Sequence, residues 1–255
     1  MPEFRSGDLT LFYIDEPPVG QDRREPILLI HGFASNHAVN WVNTGWVKAL
    51  QADGRRVIAL DNRGHGRSDK PRRPEDYHTD LMATDAVRLL DHLGLERVDV
   101  MGYSMGARIT AFLASMAPER TRSALLGGLG IHLLDGTGLP QSIADALEAP
   151  SLDAVSGAMP RMFRRFADAT GGDLGALAAC IRGSRQSLST ERLARILVPV
   201  LVSVGTRDDI AGDPHALARL LIQGRALDIP DRDHNLAVGD KVHKAGVLAF
   251  LAERP

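Results

Sequence analysis

The chain has 255 residues, 44% of them hydrophobic, and a formal charge of −2 with basic and acidic side chains interspersed. That length supports one large domain with a sizeable core. The balanced charge argues against nucleic acid or an anionic membrane surface as the main partner.

The opening Met1-Pro-Glu-Phe-Arg-Ser has no apolar h-region, and no apolar run reaches bilayer length, so the expectation is a cytoplasmic protein without membrane insertion. Residues 4–14 alternate around Gly7-Asp8 and predict one or two strands of a hairpin, closed by Pro17, Pro18 and Gly20. The continuous apolar run at 26–30 marks a strand buried on both faces, and it ends in His31-Gly32-Phe33. A short helix at 46–50 and a second buried strand at 56–60 follow, then a charged, glycine-punctuated loop over 61–69. The spacing predicts a helix over 80–93, ended by Gly94. Next come a strand, the turn Gly102-Tyr-Ser104-Met-Gly106, and a helix with Ile109, Phe112, Leu113 and Met116 on one face. Pro118 stops that helix, and another strand follows at 123–127.

The pattern changes over 131–190, where short helical pieces are broken by glycines and prolines. Met159, Met162, Phe163 and Phe166 give one piece an apolar face, which fits either core packing or substrate contact. We therefore expect a helical lid at 131–190 inserted into a core formed by 1–130 and 191–255, within a single structural domain. Cys180 lies in this insertion and is the single cysteine, so the chain builds neither an intrachain disulfide nor a cysteine-based zinc site. It reads as a small, half-buried apolar residue. Order returns with a strand at 199–204 ending in Gly205-Thr-Arg-Asp208-Asp209, a helix at 214–222, a strand at 226–229, and a turn carrying His234. A helix over 240–252 closes the chain. Alternating strands and helices predict an α/β fold, a mostly parallel twisted sheet with helices on both faces. Working groups in such sheets gather past the carboxyl ends of the strands. His31, Ser104 and Asp208 all lie there.

Gly102-x-Ser104-x-Gly106 is the nucleophile-elbow pattern. A serine on so sharp a turn crowds residues two positions away, and glycine brings no Cβ to the clash. The serine needs a base, and histidine titrates near neutrality. Of nine histidines, His234 stands in a turn just after the last strand. His215, at a helix start, and His243, within the closing helix, read as solvated. His31 and His65 read as braces for their own turns. A carboxylate must then orient the imidazole, and Asp208 and Asp209 both follow a late strand. The oxyanion needs donors: Met105 N–H follows the serine directly, and Phe33 N–H is the natural second. With Tyr103, Phe33 and the four apolar residues of the insertion are the candidate pocket lining.

His31-Gly-Phe33, Asp61-x-Arg63-Gly-x-Gly-x-Ser68, Gly102-x-Ser104-x-Gly106, Gly205-x-x-Asp208 and Asp233-His234 together resemble the α/β-hydrolase superfamily. The layout is similar to its small serine esterase and cofactor-free haloperoxidase-like branch. The resemblance implies Ser104, Asp208 and His234 as catalytic triad, with the family spacing favouring Asp208 over Asp209. It also implies the Phe33 and Met105 amides as oxyanion hole, a structural role for the 61–68 loop, and no metal or organic cofactor. Serine at the elbow departs from the aspartate of dehalogenases and epoxide hydrolases. Hydrolysis of a small-molecule ester, thioester or lactone is the expectation. The rivals are the same triad turned to perhydrolysis, C–C cleavage or a lyase reaction, and a ligand-binding receptor or scaffold that retains the fold.

Overall fold

The computed structural model describes residues 2–20 and 24–253. β1 (Glu3–Ser6) and β2 (Leu9–Glu16) form the opening hairpin across Gly7-Asp8. β3 (Arg24–Ile30), α1 (Trp46–Ala52), β4 (Arg55–Leu60), α2 (Thr79–His92), β5 (Val98–Tyr103), α3 (Met105–Met116) and β6 (Thr121–Gly127) follow. An inserted helical stretch then runs through α4 (Ser142–Glu148), α5 (Ala158–Ala169), α6 (Leu174–Gly183) and α7 (Thr190–Leu193). β7 (Val200–Gly205), α8 (Pro214–Leu220), β8 (Gly224–Ile229) and α9 (Lys241–Glu253) complete the fold. The strands make one eight-stranded sheet in the order β1-β2-β4-β3-β5-β6-β7-β8. β1 and β2 are antiparallel to their neighbours and the rest are parallel.

The apolar runs are continuous because both faces of the sheet are covered. Successive side chains point to opposite faces, and they divide accordingly. Leu28, Ile30, Val100 and Leu126 pack with α2, α3 and the inserted helices. Ile27, Leu29, Met101 and Leu125 pack with Trp41, Trp46 and α9. The inserted helices are not loosely appended, since Phe163, Ala167, Leu177 and Ala178 join the same core as α2 and α3. No helix among the described residues is long and apolar enough to cross a membrane.

β5 and α3 meet with almost no space between them. A Cβ on Gly102 would sit 2.1 Å from Gly106 O, and one on Gly106 would sit 1.9 Å from Ile30 O. Both contacts are with backbone, which cannot move aside without disrupting the sheet.

Three expectations need correction. Met116, at the end of α3, is 39% exposed rather than part of a buried face. Cys180 is fully buried, which pushes its thiol up to about 12. His243 is fully buried rather than solvated. It shares a stripe with Val247, Phe250 and Leu251, the spacing of one helical face. Its Nδ1–H donates to Ala237 O (3.1 Å), and its Nε2 lies 2.9 Å from Ser203 Oγ. Burial lowers its pKa from 6.5 to about 4. His215 is half exposed beside Asp228, as expected.

Two outcomes follow. Gly106→Ala should lose at least about 2 kcal/mol of stability through overpacking, read as a lower urea midpoint; a parental midpoint would contradict the packing account. Between pH 6.5 and about 4 the unfolded chain takes up a proton that buried His243 refuses. Stability should therefore fall as pH drops through that window. His243→Gln should show a shallower decline in Tm, and an unchanged slope would count against this source.

Candidate active site

Ser104 sits between β5 and α3 with φ 55° and ψ −113°, one of few non-glycine residues at positive φ. Such strain persists only where the surroundings enforce it. Here the Ser104 N–H donates to Gly127 O at 2.7 Å, and the two flanking glycines let strand and helix close around the turn. Met105 is the first residue of α3, so its amide is one of the helix's free N-terminal donors.

The three side chains expected to act together are brought into one line. His234 Nδ1 lies 2.7 Å from Asp208 Oδ2, and His234 Nε2 lies 3.0 Å from Ser104 Oγ. A carboxylate only accepts, so the ring proton belongs on Nδ1 and Nε2 is left to accept from the serine hydroxyl. The Asp208 side chain is fully buried, and its Oδ1 accepts from the Ile210 and Ala211 amides at 2.9 and 3.0 Å. Asp209 is exposed. The geometry therefore separates the two adjacent aspartates. Tyr103 O–H donates to His234 O at 2.6 Å, with its ring 5.5 Å from the imidazole. Burial, then Asp208 and Asp233, raise the Tyr103 pKa well above 10.0, so it remains a donor.

The Gly32-Phe33 turn lies against the elbow. A Cβ on Gly32 would be 3.2 Å from Tyr103 O and 3.5 Å from Ser104 Cβ. Neither the Phe33 nor the Met105 amide donates to a protein acceptor among the described residues. The turn is braced on several sides. Gly32 N–H donates to Asn40 Oδ1 (2.9 Å), Thr170 Oγ1 donates to Ala34 O (2.8 Å), and His31 Nδ1–H donates to Gly32 O (2.7 Å). His31 Nε2 accepts from Asn62 N–H at 3.0 Å, and burial lowers its pKa. His65, beside it, is lowered to about 3 by burial.

The 61–68 loop is knit by the same kind of contact. Burial would raise the Asp61 carboxyl, but hydrogen bonds from His37 and the nearby His31 outweigh it and hold the group low. Arg63 grips Asp85 with two bonds of 2.7 Å.

Two cavities meet at Ser104. The larger, about 350 Å³, is lined by Phe33, Tyr103, Met162, Phe163 and Phe166 together with His234. The smaller, about 60 Å³, is lined by Phe33, Met105, Arg108, Leu129 and Ile181. Met159 lines neither and packs against the main core. Tyr103 reaches the larger cavity, but its hydroxyl is held by the His234 carbonyl. Arg108 donates to the carbonyls of His132, Leu133, Thr137 and Gln186, tying the elbow helix to the insertion. Burial lowers its guanidinium to about 10. Sequence reasoning missed Arg108, Ser35, Asn40 and Asn235. All four lie outside any motif, and Asn40 sits in a π-helical turn (Ala38–Val42) that no periodicity announces. Among the described residues no group of three or more His, Cys, Asp or Glu is arranged to hold a metal ion.

Comparison with known proteins agrees with this architecture. Residues 25–133 match the family model of the alpha/beta hydrolase fold. The chain is 30% identical over 211 residues to a non-heme chloroperoxidase of Streptomyces lividans, covering 72% of this chain and 75% of that protein. It is 37% identical over 107 residues to the 2-hydroxymuconate semialdehyde hydrolase of Pseudomonas sp. (strain CF600), covering 42% of this chain and 37% of that protein. Against several curated relatives the match spans only 28–38% of their own length. A crystal structure of a hydrolase from Pseudomonas aeruginosa superposes with a TM-score of 0.78 at 22% identity, over 98% of this chain and 97% of that one. With sheet order, elbow and relatives in agreement, the chain belongs to the α/β-hydrolase superfamily.

Proposed function

We propose that the protein is a serine hydrolase that cleaves a small carboxylic ester, thioester or lactone through an acyl-Ser104 intermediate. The observation that carries this reading is the unbroken relay from Ser104 Oγ through His234 to buried Asp208, with links of 3.0 and 2.7 Å. Ser104 Oγ attacks the carbonyl carbon while His234 Nε2 takes its proton. Asp208 stabilises the imidazolium that results. The Phe33 and Met105 amides donate hydrogen bonds to the developing oxyanion, where fixed dipoles outperform water. The tetrahedral intermediate collapses, and His234 returns the proton to the leaving alcohol, thiol or ring oxygen. Water, deprotonated by His234, then attacks the acyl-serine, and the acid departs.

The two cavities suit the two sides of such a substrate. The larger lies within the usual size range of small-ligand sites, and the smaller has room for a few non-hydrogen atoms. We read residues 131–190 as a lid, with α5 walling the larger cavity through Met162, Phe163 and Phe166. The reading requires no metal or organic cofactor.

Peroxide in place of water at the second step is the one alternative with a specific observation behind it, the similarity to a non-heme chloroperoxidase. Attack of hydrogen peroxide on the same acyl-serine would release a peracid instead of an acid.

Steady-state hydrolysis of p-nitrophenyl esters tests the proposal. Turnover should vanish in Ser104→Ala, and activity surviving there would overturn the mechanism. Asp208→Asn should lower kcat by about 10⁴-fold, whereas Asp209→Asn should stay within about twofold because its side chain is solvated. Equal losses would contradict the assignment of the acid. Esters longer than the cavities allow, such as dodecanoate, should lose about tenfold or more in kcat/KM relative to butanoate.

A further inference from the structure

The smaller cavity beside Ser104 is lined by two arginines, Arg108 and Arg185, and by no Asp or Glu. Arg63, Arg164 and Arg182 each hold a carboxylate in an ion pair. Arg108 and Arg185 hold none among the described residues. Arg108 is buried, and its terminal nitrogens meet only backbone carbonyls. Burial is the main cause of its lowered pKa; Asp135, exposed and outside the cavity wall, opposes the fall, and Arg185 deepens it. A buried cation without a counter-charge is costly, and a second cation beside it adds to that cost.

The four carbonyls explain Arg108 as a tie between α3 and the insertion, but they do not explain Arg185 over the same cavity. Arg185 is exposed, so a ligand can reach it. Its Nη1 donates to Leu139 O at 2.9 Å, within the cavity wall, whereas its Nε and Nη2 have no partner among the described residues. Those two nitrogens form the edge with which Arg63 grips Asp85, the fork that fits a carboxylate. The side of the substrate follows from the base. His234 must protonate the leaving oxygen, and it lines the larger cavity but not the smaller. A leaving group therefore fits the larger cavity, which no Lys or Arg lines, and an acyl chain fits the smaller. Its volume of about 60 Å³ holds roughly five water-sized groups.

We propose that Arg108 and Arg185 make the smaller cavity a subsite for an acyl chain that ends in a carboxylate. The substrate class is then a half-ester or half-thioester of a short dicarboxylic acid, with about five non-hydrogen atoms beyond the reacting carbonyl. Arg185 binds the carboxylate with its free edge, and Arg108 contributes its charge, since its terminal nitrogens are already occupied. The anion in turn compensates the two cations. Which side of the substrate carries the charge rests on the hydrolase reading. Recognition of the anion is a binding property and is tested separately.

Binding to the Ser104→Ala protein is measured by calorimetry at neutral pH for three benzyl esters, those of succinic acid (the half-ester), succinamic acid and 4-methylpentanoic acid. Their acyl chains match in length and branching but end in a carboxylate, a neutral amide and an isopropyl group. In a neutral cavity the carboxylate binds worst, because it loses the most water on entry. A cationic subsite reverses that order, and the half-ester should bind about tenfold more tightly than either neutral ester. Arg185→Gln in the same background should remove most of this preference. Arg185→Lys, which keeps the charge without the fork, should restore part of it. Equal or tighter binding of a neutral ester, no measurable binding of all three, or a preference untouched by Arg185→Gln would overturn the proposal. Turnover by the parent protein tests the side. In kcat/KM, benzyl succinate should exceed benzyl 4-methylpentanoate, whereas 3-acetoxypropanoate, with the carboxylate on the alcohol, should fall below 3-methylbutyl acetate. A preference for the carboxylate on the alcohol side would overturn the placement of the subsite. Tight binding of the half-ester without turnover of any ester by the parent would support the anion subsite and remove the hydrolase reading, so the two ideas fail by different results.

Discussion

The carbonyls of Ile30 and His31 press against the first turn of α3 at Gly106, so closely that one added carbon would fall 1.9 Å from the Ile30 oxygen. That approach fixes three things together. It sets the carboxyl end of β3 beside that of β5, it forces the turn at Ser104 into positive φ, and it lays the Gly32-Phe33 backbone against the Ser104 side chain. The strained serine is stable because strand hydrogen bonds on one side and the α3 ladder on the other over-determine it. The late strands then supply Asp208 after β7 and His234 after β8, at the same edge of the sheet. A loose elbow would leave the His234 imidazole nothing fixed to meet.

Electrostatics around this point are sorted by burial and partnership. His31, His65 and His243 are all buried, and desolvation lowers the pKa of each. Among the residues near the elbow, His234 alone bridges a buried carboxylate and the Ser104 hydroxyl. Asp208 is kept ready by two backbone amides, and Asp61 is engaged by His37. Positive φ at Ser104 is a departure from local optimality, of the kind a site built for binding and chemistry is expected to hold.

Much of this was legible in the sequence, for physical reasons. Strands buried on both faces need uninterrupted apolar runs, and those at 26–30 and 199–204 announced β3 and β7. The elbow was legible because only glycine fits at positions 102 and 106. Asp208 and Asp209 were separable only by a resemblance in spacing, and the exposure of Asp209 now gives a physical ground. His243 was misread as solvated, since a polar residue on a mostly apolar helix hides whether its face is inward; Ser203 and the Ala237 carbonyl satisfy it. Met159 shares helical spacing with Met162 and Phe163, yet it stands at the start of α5 and packs only on the core, while Phe163 both joins the core and lines the cavity. Asn40 was invisible because a five-residue π-helical turn has no pattern long enough to read.

The most direct test of the central claim is intact-protein mass spectrometry on samples quenched in acid within the first turnovers of a p-nitrophenyl ester, followed by peptide mapping. The account predicts a covalent gain equal to the acyl group, located on Ser104, that builds up further when deacylation is slowed. An acyl group on any other residue, or rapid ester hydrolysis with no acylated protein even under conditions that trap slow intermediates, would contradict it.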